Sequence, residues 1–166
     1  GSFMAQSYLG WSFYHGNRVP QDYESAFKWL LKAAEQGDAV SQDLVGTMYN
    51  LAQGVPRDAF EAIKWYRRAA EQGYPLGQYN FAGMYFKGHG VNRDVAEAIK
   101  WGRMAAEQGE MVAQFAIGNV YYYADGVERD LKKAIKWLRM AAEQGHPEAQ
   151  YIVGLSYHYG KGVSRN

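Results

Sequence analysis

The chain has 166 residues, is 48% hydrophobic and 21% charged, and carries a formal charge of +1 with no cysteine. These values exclude a disordered polymer, a disulfide framework, a thiolate metal site and a cysteine nucleophile, and they supply no net charge to drive binding of nucleic acid. Glycine is the unusual count, at 19 against four prolines, a pairing that fits neither collagen nor a proline-stiffened linker. No apolar run approaches the ~20 residues of a bilayer-spanning helix. Gly1-Ser2 reads as a cloning remnant and residues 1–4 as a lead-in, so the native N-terminus is expected upstream. Periplasmic, secreted and cytoplasmic placements all stay open.

From Ala5 onward the chain repeats every 36 residues without insertion or deletion. Full copies span 5–40, 41–76, 77–112 and 113–148, with a partial copy at 149–166. Gln6, Gln42, Gln78, Gln114 and Gln150 mark slot 2, and Val19, Val55, Val91, Val127 and Val163 mark slot 15. Slots 1 to 12 predict a helix, because Ala113, Ile117, Gly118 and Tyr121 recur at helical spacing. A Gly-Val loop follows, as in Gly88-His89-Gly90-Val91. Asp22, Asp58, Asp94 and Asp130 then predict N-caps, with Glu61 and Glu97 placed to complete capping boxes. A second helix sets Ala62, Trp65 and Ala69 on one face. Trp29, Trp65, Trp101 and Trp137 are expected to fill the space between helices that small residues keep close. The helix stops at Gly37, Gly73, Gly109 and Gly145, the expected left-handed residues. One such pair cannot bury its apolar face alone. The expectation is therefore all-α: a single right-handed α-solenoid of antiparallel helix pairs, about four and a half repeats and nine helices.

The fourth copy shows Ala113, Ile117, Gly118, Tyr121, Gly126, Val127, Asp130, Ala134, Trp137, Ala141, Ala142 and Gly145 in order. That order resembles the Sel1-like repeat, a relative of the tetratricopeptide repeat, over essentially the whole chain. Departures are Ala52 and Ala124 at slot 12, Arg18 at slot 14 and Ala82 at slot 6. The resemblance implies an adaptor that presents a curved surface to protein partners, as in signalling complexes, envelope-linked assemblies and host-interaction factors. It also brings to mind a cysteine-rich branch linked to cell-wall or β-lactam hydrolysis, from which the absence of cysteine separates this chain.

By analogy with tetratricopeptide-like solenoids, the first helices line the concave side and slots 3, 7, 10 and 11 face it. Aromatics crowd those slots: Trp11, Tyr14, Tyr79, Phe86, Phe115, Tyr122, Tyr123, Tyr151 and Tyr159, with His158 among them. Aromatic anchors with polar tips suit a groove for a peptide or protein. Slot 3 has two readings, groove or packing against the next unit. The second copy offers Asp43, Thr47, Asn50 and Leu51 instead, so the groove is expected to grade from polar to aromatic. The recurring Gln at slot 2 predicts an amide bond to neighbouring backbone; a ladder of ligand-binding amides is the alternative. Glu at slot 31 opposes the helix dipole and calls for a cation such as Arg67 or Arg103 one turn back. The row Lys28, Lys64, Lys100 and Lys136 reads as a solvated face.

Catalytic signals are poor. His15, His89, His146 and His158 show no metal-ligand spacing, so no metal, cofactor or nucleic acid is expected. Ser25-Ala26-Phe27-Lys28 matches a Ser-x-x-Lys motif, but sister copies hold Glu61, Glu97 and Lys133 in place of the serine. The match is read as coincidence. The chain stops at Asn166, slot 18, where a further helix should be capped, so a longer array or end-to-end self-association is expected. A purely structural spacer is the remaining alternative.

Overall fold

The computed structural model describes residues 2–162, among which there are nine α-helices and no strand. Val163 and Asn166 of the last copy lie outside the described residues, as does Gly1. The first helices of the repeats are α1 (Phe3–His15), α3 (Ala39–Leu51), α5 (Pro75–Lys87), α7 (Met111–Tyr123) and α9 (Pro147–Tyr159). The second helices are α2 (Tyr23–Glu35), α4 (Ala59–Glu71), α6 (Val95–Glu107) and α8 (Leu131–Glu143). Within the units, α1 runs antiparallel to α2, α3 to α4 and α7 to α8.

The first helices start two residues before slot 1, earlier than the apolar periodicity indicates. Local capping is the reason. The Asp38 carboxylate accepts from the Ser41 N–H at 2.9 Å, the Glu110 carboxylate from Val112 and the His146 ring from Ala149. Pro75 and Pro147 occupy the first helical position, where a missing N–H costs nothing. The second helices start as expected. Asp22 accepts from the N–H groups of Glu24 and Ser25, Asp58 from Phe60 and Glu61, and Asp130 from Lys133. The capping box at Asp58 does not close: Glu61 pairs with Lys64 at 2.5 Å, and the Asp58 N–H donates to the Tyr49 carbonyl at 3.0 Å. Asp22, Asp94 and Asp130 make the same bond, to Phe13, Tyr85 and Tyr121. That bond closes the loop back onto the helix before it.

Each second helix ends in a two-bond reversal. The Gly37 N–H donates to Ala34 and the Asp38 N–H to Ala33, with Gly37 at φ +97. Gly73, Gly109 and Gly145 repeat it, the geometry in which a left-handed residue satisfies the last carbonyls. The first helices also end left-handed. Gly16, Gly88 and Gly160 do so with φ near +68, and so do Ala52 and Ala124 at φ 57 and 60. At slot 14 the same is true of Arg18, φ 66. The three departures from glycine noted in these loops are the three non-glycine residues of positive φ among the described residues.

Packing divides the chain into two compact units between Asp94 and Val95. In the first, α1 to α5 pack in succession and α3 also meets α5; in the second, α6 to α9 pack in succession. Leu30, Val45 and Met48 form the centre of the first core, and Ile135, Leu138 and Ala141 that of the second. Slot 6 glycines let the paired helices meet. A Cβ on Gly46 would stand 2.8 Å from the Tyr66 ring, and one on Gly118 2.7 Å from Leu138. In the third copy the small residue changes place, with Ala82 at slot 6 and Gly102 at slot 26. The tryptophans contribute less to the interior than expected. Trp65 is buried, but Trp29, Trp101 and Trp137 lie half-buried at the edge. Cations cover three of these rings: Lys32 over Trp29, Arg68 over Trp65 and Lys100 over Trp101. Slot 26, with Leu30, Tyr66 and Leu138, fills the space instead.

Candidate functional site

The face carried by the first helices separates into three kinds of position. Slot 11 is open: His15, Leu51, Lys87, Tyr123 and Tyr159 are all exposed, Tyr123 by 66% and Tyr159 by 60%. Slot 10 is half-buried at Tyr14, Phe86 and Tyr122 and exposed at His158. Loop side chains support it from behind. Gln21 Nε2 donates to the Tyr14 carbonyl at 2.8 Å, and Arg93 Nε donates to the Phe86 carbonyl at 3.0 Å. The Arg93 and Arg129 guanidinium groups lie over the Phe86 and Tyr122 rings. These slot 17 residues carry no apolar period, so pattern reading passes over them.

Slot 3 follows its neighbour. Phe115 stacks on His146, the N-cap of α9, with centroids 4.0 Å apart, and Tyr79 is half-buried. Tyr151 is 69% exposed. Trp11, at slot 7, is 38% exposed, with His15 tilted against it at 4.5 Å. The ten aromatic and histidine candidates thus include both supports and free surface. Trp11, Tyr123, Tyr151, His158 and Tyr159 are the exposed set; Tyr14, Tyr79, Phe86, Phe115 and Tyr122 are half-sunk.

Around α3, within the first unit, part of the same face is polar. Ser7 Oγ donates to Asp38 at 2.9 Å, and Ser41 Oγ donates to Ser7 at 2.9 Å. Asn80 Nδ2 donates to Asp43 Oδ1 at 2.8 Å, and the Tyr66 hydroxyl donates to Thr47 at 3.1 Å. Burial pushes the Asp43 carboxyl up to about 6 and the Tyr66 phenol up to about 12.

The recurring glutamines are structural. Nε2 of Gln42, Gln114 and Gln150 donates to the carbonyls of Ala34, Ala106 and Ala142 at 3.0 to 3.1 Å. Their Oε1 atoms serve too: Gln72 donates to Gln42 at 2.7 Å and Gln144 to Gln114 at 2.8 Å. The slot 32 partner was visible in every Glu-Gln-Gly, but its role needed the fold. Three of the four carboxylates at slot 31 find an arginine one turn back, Arg67–Glu71, Arg103–Glu107 and Arg139–Glu143, whereas Glu35 has Leu31 there. Lys64 and Lys100 pair with Glu61 and Glu97 on the solvated face.

The Ser25 hydroxyl donates to the Asp22 carboxylate at 2.5 Å, and that bond holds Asp22 below its usual range. Ser25 therefore belongs to the helix cap. Among the described residues no cluster of three or more His, Asp or Glu could hold a metal, and no helix is long and apolar enough to cross a membrane.

Antiparallel 13-residue helices linked by Asp caps and left-handed glycine stops define a tetratricopeptide-like helical repeat protein. Residues 3–38, 39–74, 75–110, 112–146 and 147–166 match the Sel1 repeat, and the chain belongs to that family. The matched frame starts two residues before Ala5, in agreement with the early helix starts. Sel1 repeat proteins generally mediate protein–protein interaction on a scaffold that is typically non-enzymatic. The chain is 41% identical, with a TM-score of 0.92, to a protective antigen present in uropathogenic Escherichia coli strains displaying an SLR fold. That match covers 100% of this chain and 36% of the antigen, so the chain spans about a third of it. A Sel1 repeat protein from Oxalobacter formigenes is 35% identical with a TM-score of 0.93, over 99% of this chain and 67% of the other. Cysteine-rich protein B of Helicobacter pylori shares the fold at 20% identity, with a TM-score of 0.62, over 80% of this chain and 95% of its own. Comparison with curated proteins gives no match.

Proposed function

We propose that the chain is a non-catalytic interaction module that binds a peptide or protein partner along the face of its first helices. The observation that carries this reading is the open slot 11. Tyr123 and Tyr159 recur at the same repeat position with most of their surface free. Tyr122 and His158 stand beside them by ring edge, at 5.1 and 4.7 Å. Rigid aromatics with polar tips lose little entropy when a partner covers them. Phe115 and Tyr151 add to the same chemistry on α7 and α9, and Trp11, Tyr14, Tyr79 and Phe86 carry it on α1 and α5 of the first unit. Membership of an interaction-repeat family supports the reading without naming a partner.

The test is selection of binding peptides from a displayed library against the whole chain, followed by measurement with single variants. Tyr123→Ala and Tyr159→Ala are each expected to weaken the selected peptide by about tenfold or more. Binding unchanged in both variants would overturn the aromatic-face reading.

A further inference from the structure

One socket of the repeat is filled in the first unit and open in the second. In the first, Trp65 of α4 lies in a cluster with Phe27 and Leu31 of α2 and Tyr49 of α3. The same slots in the last two copies are Ile135 and Arg139 of α8 and Tyr157 of α9. Together with Lys132, Lys136 and Gly162 they line an open recess of about 190 Å³. That is below the roughly 300–1,000 Å³ of small-molecule pockets and suits a single side chain. The adjoining face of α9 is open as well. A Cβ on Gly10, Gly46 or Gly118 would stand 2.6 to 2.8 Å from the paired second helix, whereas one on Gly154, at the same slot, would meet nothing within 4 Å. Gly154 lies three residues before Tyr157, on the same side of α9.

Charge says what the socket takes. Helix α8 has four cations and a single carboxylate, whereas α2 and α6 each set two cations against two carboxylates. Lys133 pairs with Asp130 and Arg139 with Glu143. Neither Lys132 nor Lys136 has a carboxylate three or four residues away on α8. A helix of the repeat's own pattern would not supply one, because Glu61 and Glu71 are engaged by Lys64 and Arg67, and Glu97 and Glu107 by Lys100 and Arg103. We infer that the recess receives an aromatic side chain from an acidic helix of a partner protein, whose carboxylates pair with Lys132 and Lys136. Burial of the ring supplies affinity, and the exposed charges select the partner. The site uses none of the residues of the aromatic face and stands or falls apart from it.

The probe is a synthetic peptide of residues 58–72 carrying Lys64→Glu, Arg67→Glu and Arg68→Glu, titrated into the whole chain with NMR detection. It is expected to shift the Ile135 methyl and Tyr157 ring signals saturably, at a dissociation constant on the order of 100 μM. Trp65→Ala in the peptide should weaken it about tenfold. The unsubstituted peptide, whose charges balance, should bind roughly fivefold more weakly at low salt, and the gap should close at high salt. In the chain, Lys132→Glu with Lys136→Glu should reverse the preference between the two peptides; both positions are exposed, and a thermal melt checks folding. No saturation up to about 1 mM, or shifts at Tyr123 and Tyr159 without Ile135, overturns the inference. Equal affinity of the two peptides overturns the acidic partner and gives the socket to a further repeat helix. Self-association in sedimentation that the peptide dissolves makes the occupant a second copy and overturns it too.

Discussion

The first helices α3 and α7 share length, a left-handed alanine stop and repeat position, yet present opposite chemistry. At slots 3, 7 and 10, α3 carries Asp43, Thr47 and Asn50, whereas α7 carries Phe115, Asn119 and Tyr122. The α3 set is tied into hydrogen bonds with Asn80 and Tyr66. On α7, Phe115 lies against His146, and Tyr122 sits between Tyr123 and Arg129. Both helices donate a slot 2 glutamine amide to the carbonyl of an alanine on the preceding second helix. Both also end left-handed on an alanine. The scaffold is thus held by one set of slots and the proposed recognition chemistry is carried by another, so the second can change while the first is kept.

The largest expected difference between the two units lies in that scaffold, at slot 14. Gly54 and Gly126 both have positive φ, 69 and 76. An added Cβ at Gly54 would stand 2.2 Å from the Tyr23 carbonyl oxygen, whereas at Gly126 the nearest atom is a Val95 methyl carbon at 2.7 Å. Backbone cannot yield and a valine side chain can turn. Left-handed strain costs each variant roughly 1–2 kcal/mol, and the clash adds about 1–3 kcal/mol at Gly54. Gly54→Ala should therefore lower the melting temperature clearly more than Gly126→Ala. Equal losses would show that the loop at Gly54 relaxes as freely as the one at Gly126.

Asp43 gives the next effect, and it depends on pH. Its carboxyl moves from 3.8 to about 6 on folding. Between those values the folded chain holds a proton that the unfolded chain has lost, so stability falls as pH rises through the window and is flat above it. The neighbouring phenols do not titrate there: Tyr66 is pushed up to about 12 and Tyr14 is also raised, chiefly by burial. Asp43→Asn removes the proton and keeps the bond to Asn80. Relative to the parent, the variant should gain about 2 kcal/mol more at pH 8 than at pH 4. Urea denaturation at both values checks it; a gap independent of pH would mean that the carboxylate is already compensated. Phe115, at the same slot of α7, offers no equivalent.

The burial of Asp43 was not legible in the sequence, and the reason is general. Helix pairs, caps and stops follow from local pattern, since Asp58 needs only the two N–H groups ahead of it and Gly73 only its own φ. The depth of a slot 3 side chain is set by the next first helix and its cap: Asn80 of α5 covers Asp43, and His146 at the start of α9 covers Phe115. A repeat frame says which slots share a face but not which neighbours reach across it. Slot 17 is hidden for a similar reason, because Gln21 and Arg93 act through polar atoms on carbonyls seven residues back. The early helix starts were readable from Pro75 and Pro147, and weight on the apolar period obscured them.

A smaller effect tests whether the shared scaffold is equally strained on both sides of the comparison. Ala52 and Ala124 adopt φ 57 and 60 where sister copies have glycine. Glycine removes a left-handed penalty of roughly 1–2 kcal/mol but returns about 0.5–1 kcal/mol of unfolded-chain entropy. Ala52→Gly and Ala124→Gly should each gain about 0.5–1 kcal/mol, and the double variant should show the sum because the sites are far apart along the chain. Unequal gains in chemical denaturation would show that one unit supports its alanine with contacts the other lacks.

The smallest stability effect is expected where the binding effect is largest. Slot 11 carries Leu51 on α3 and Tyr123 on α7, 57% and 66% exposed. Surface positions without caps, special φ or buried partners tolerate change to within about 0.5 kcal/mol. Leu51→Ser and Tyr123→Ser should therefore leave the unfolding midpoint nearly unmoved in both units. Peptide affinity should separate them, with Tyr123→Ser costing about tenfold and Leu51→Ser much less, because a serine in place of tyrosine removes an aromatic anchor. A large loss of stability in Tyr123→Ser would place that ring in the scaffold set, and the division between slots that hold the repeat and slots that recognise a partner would have to be redrawn at α7.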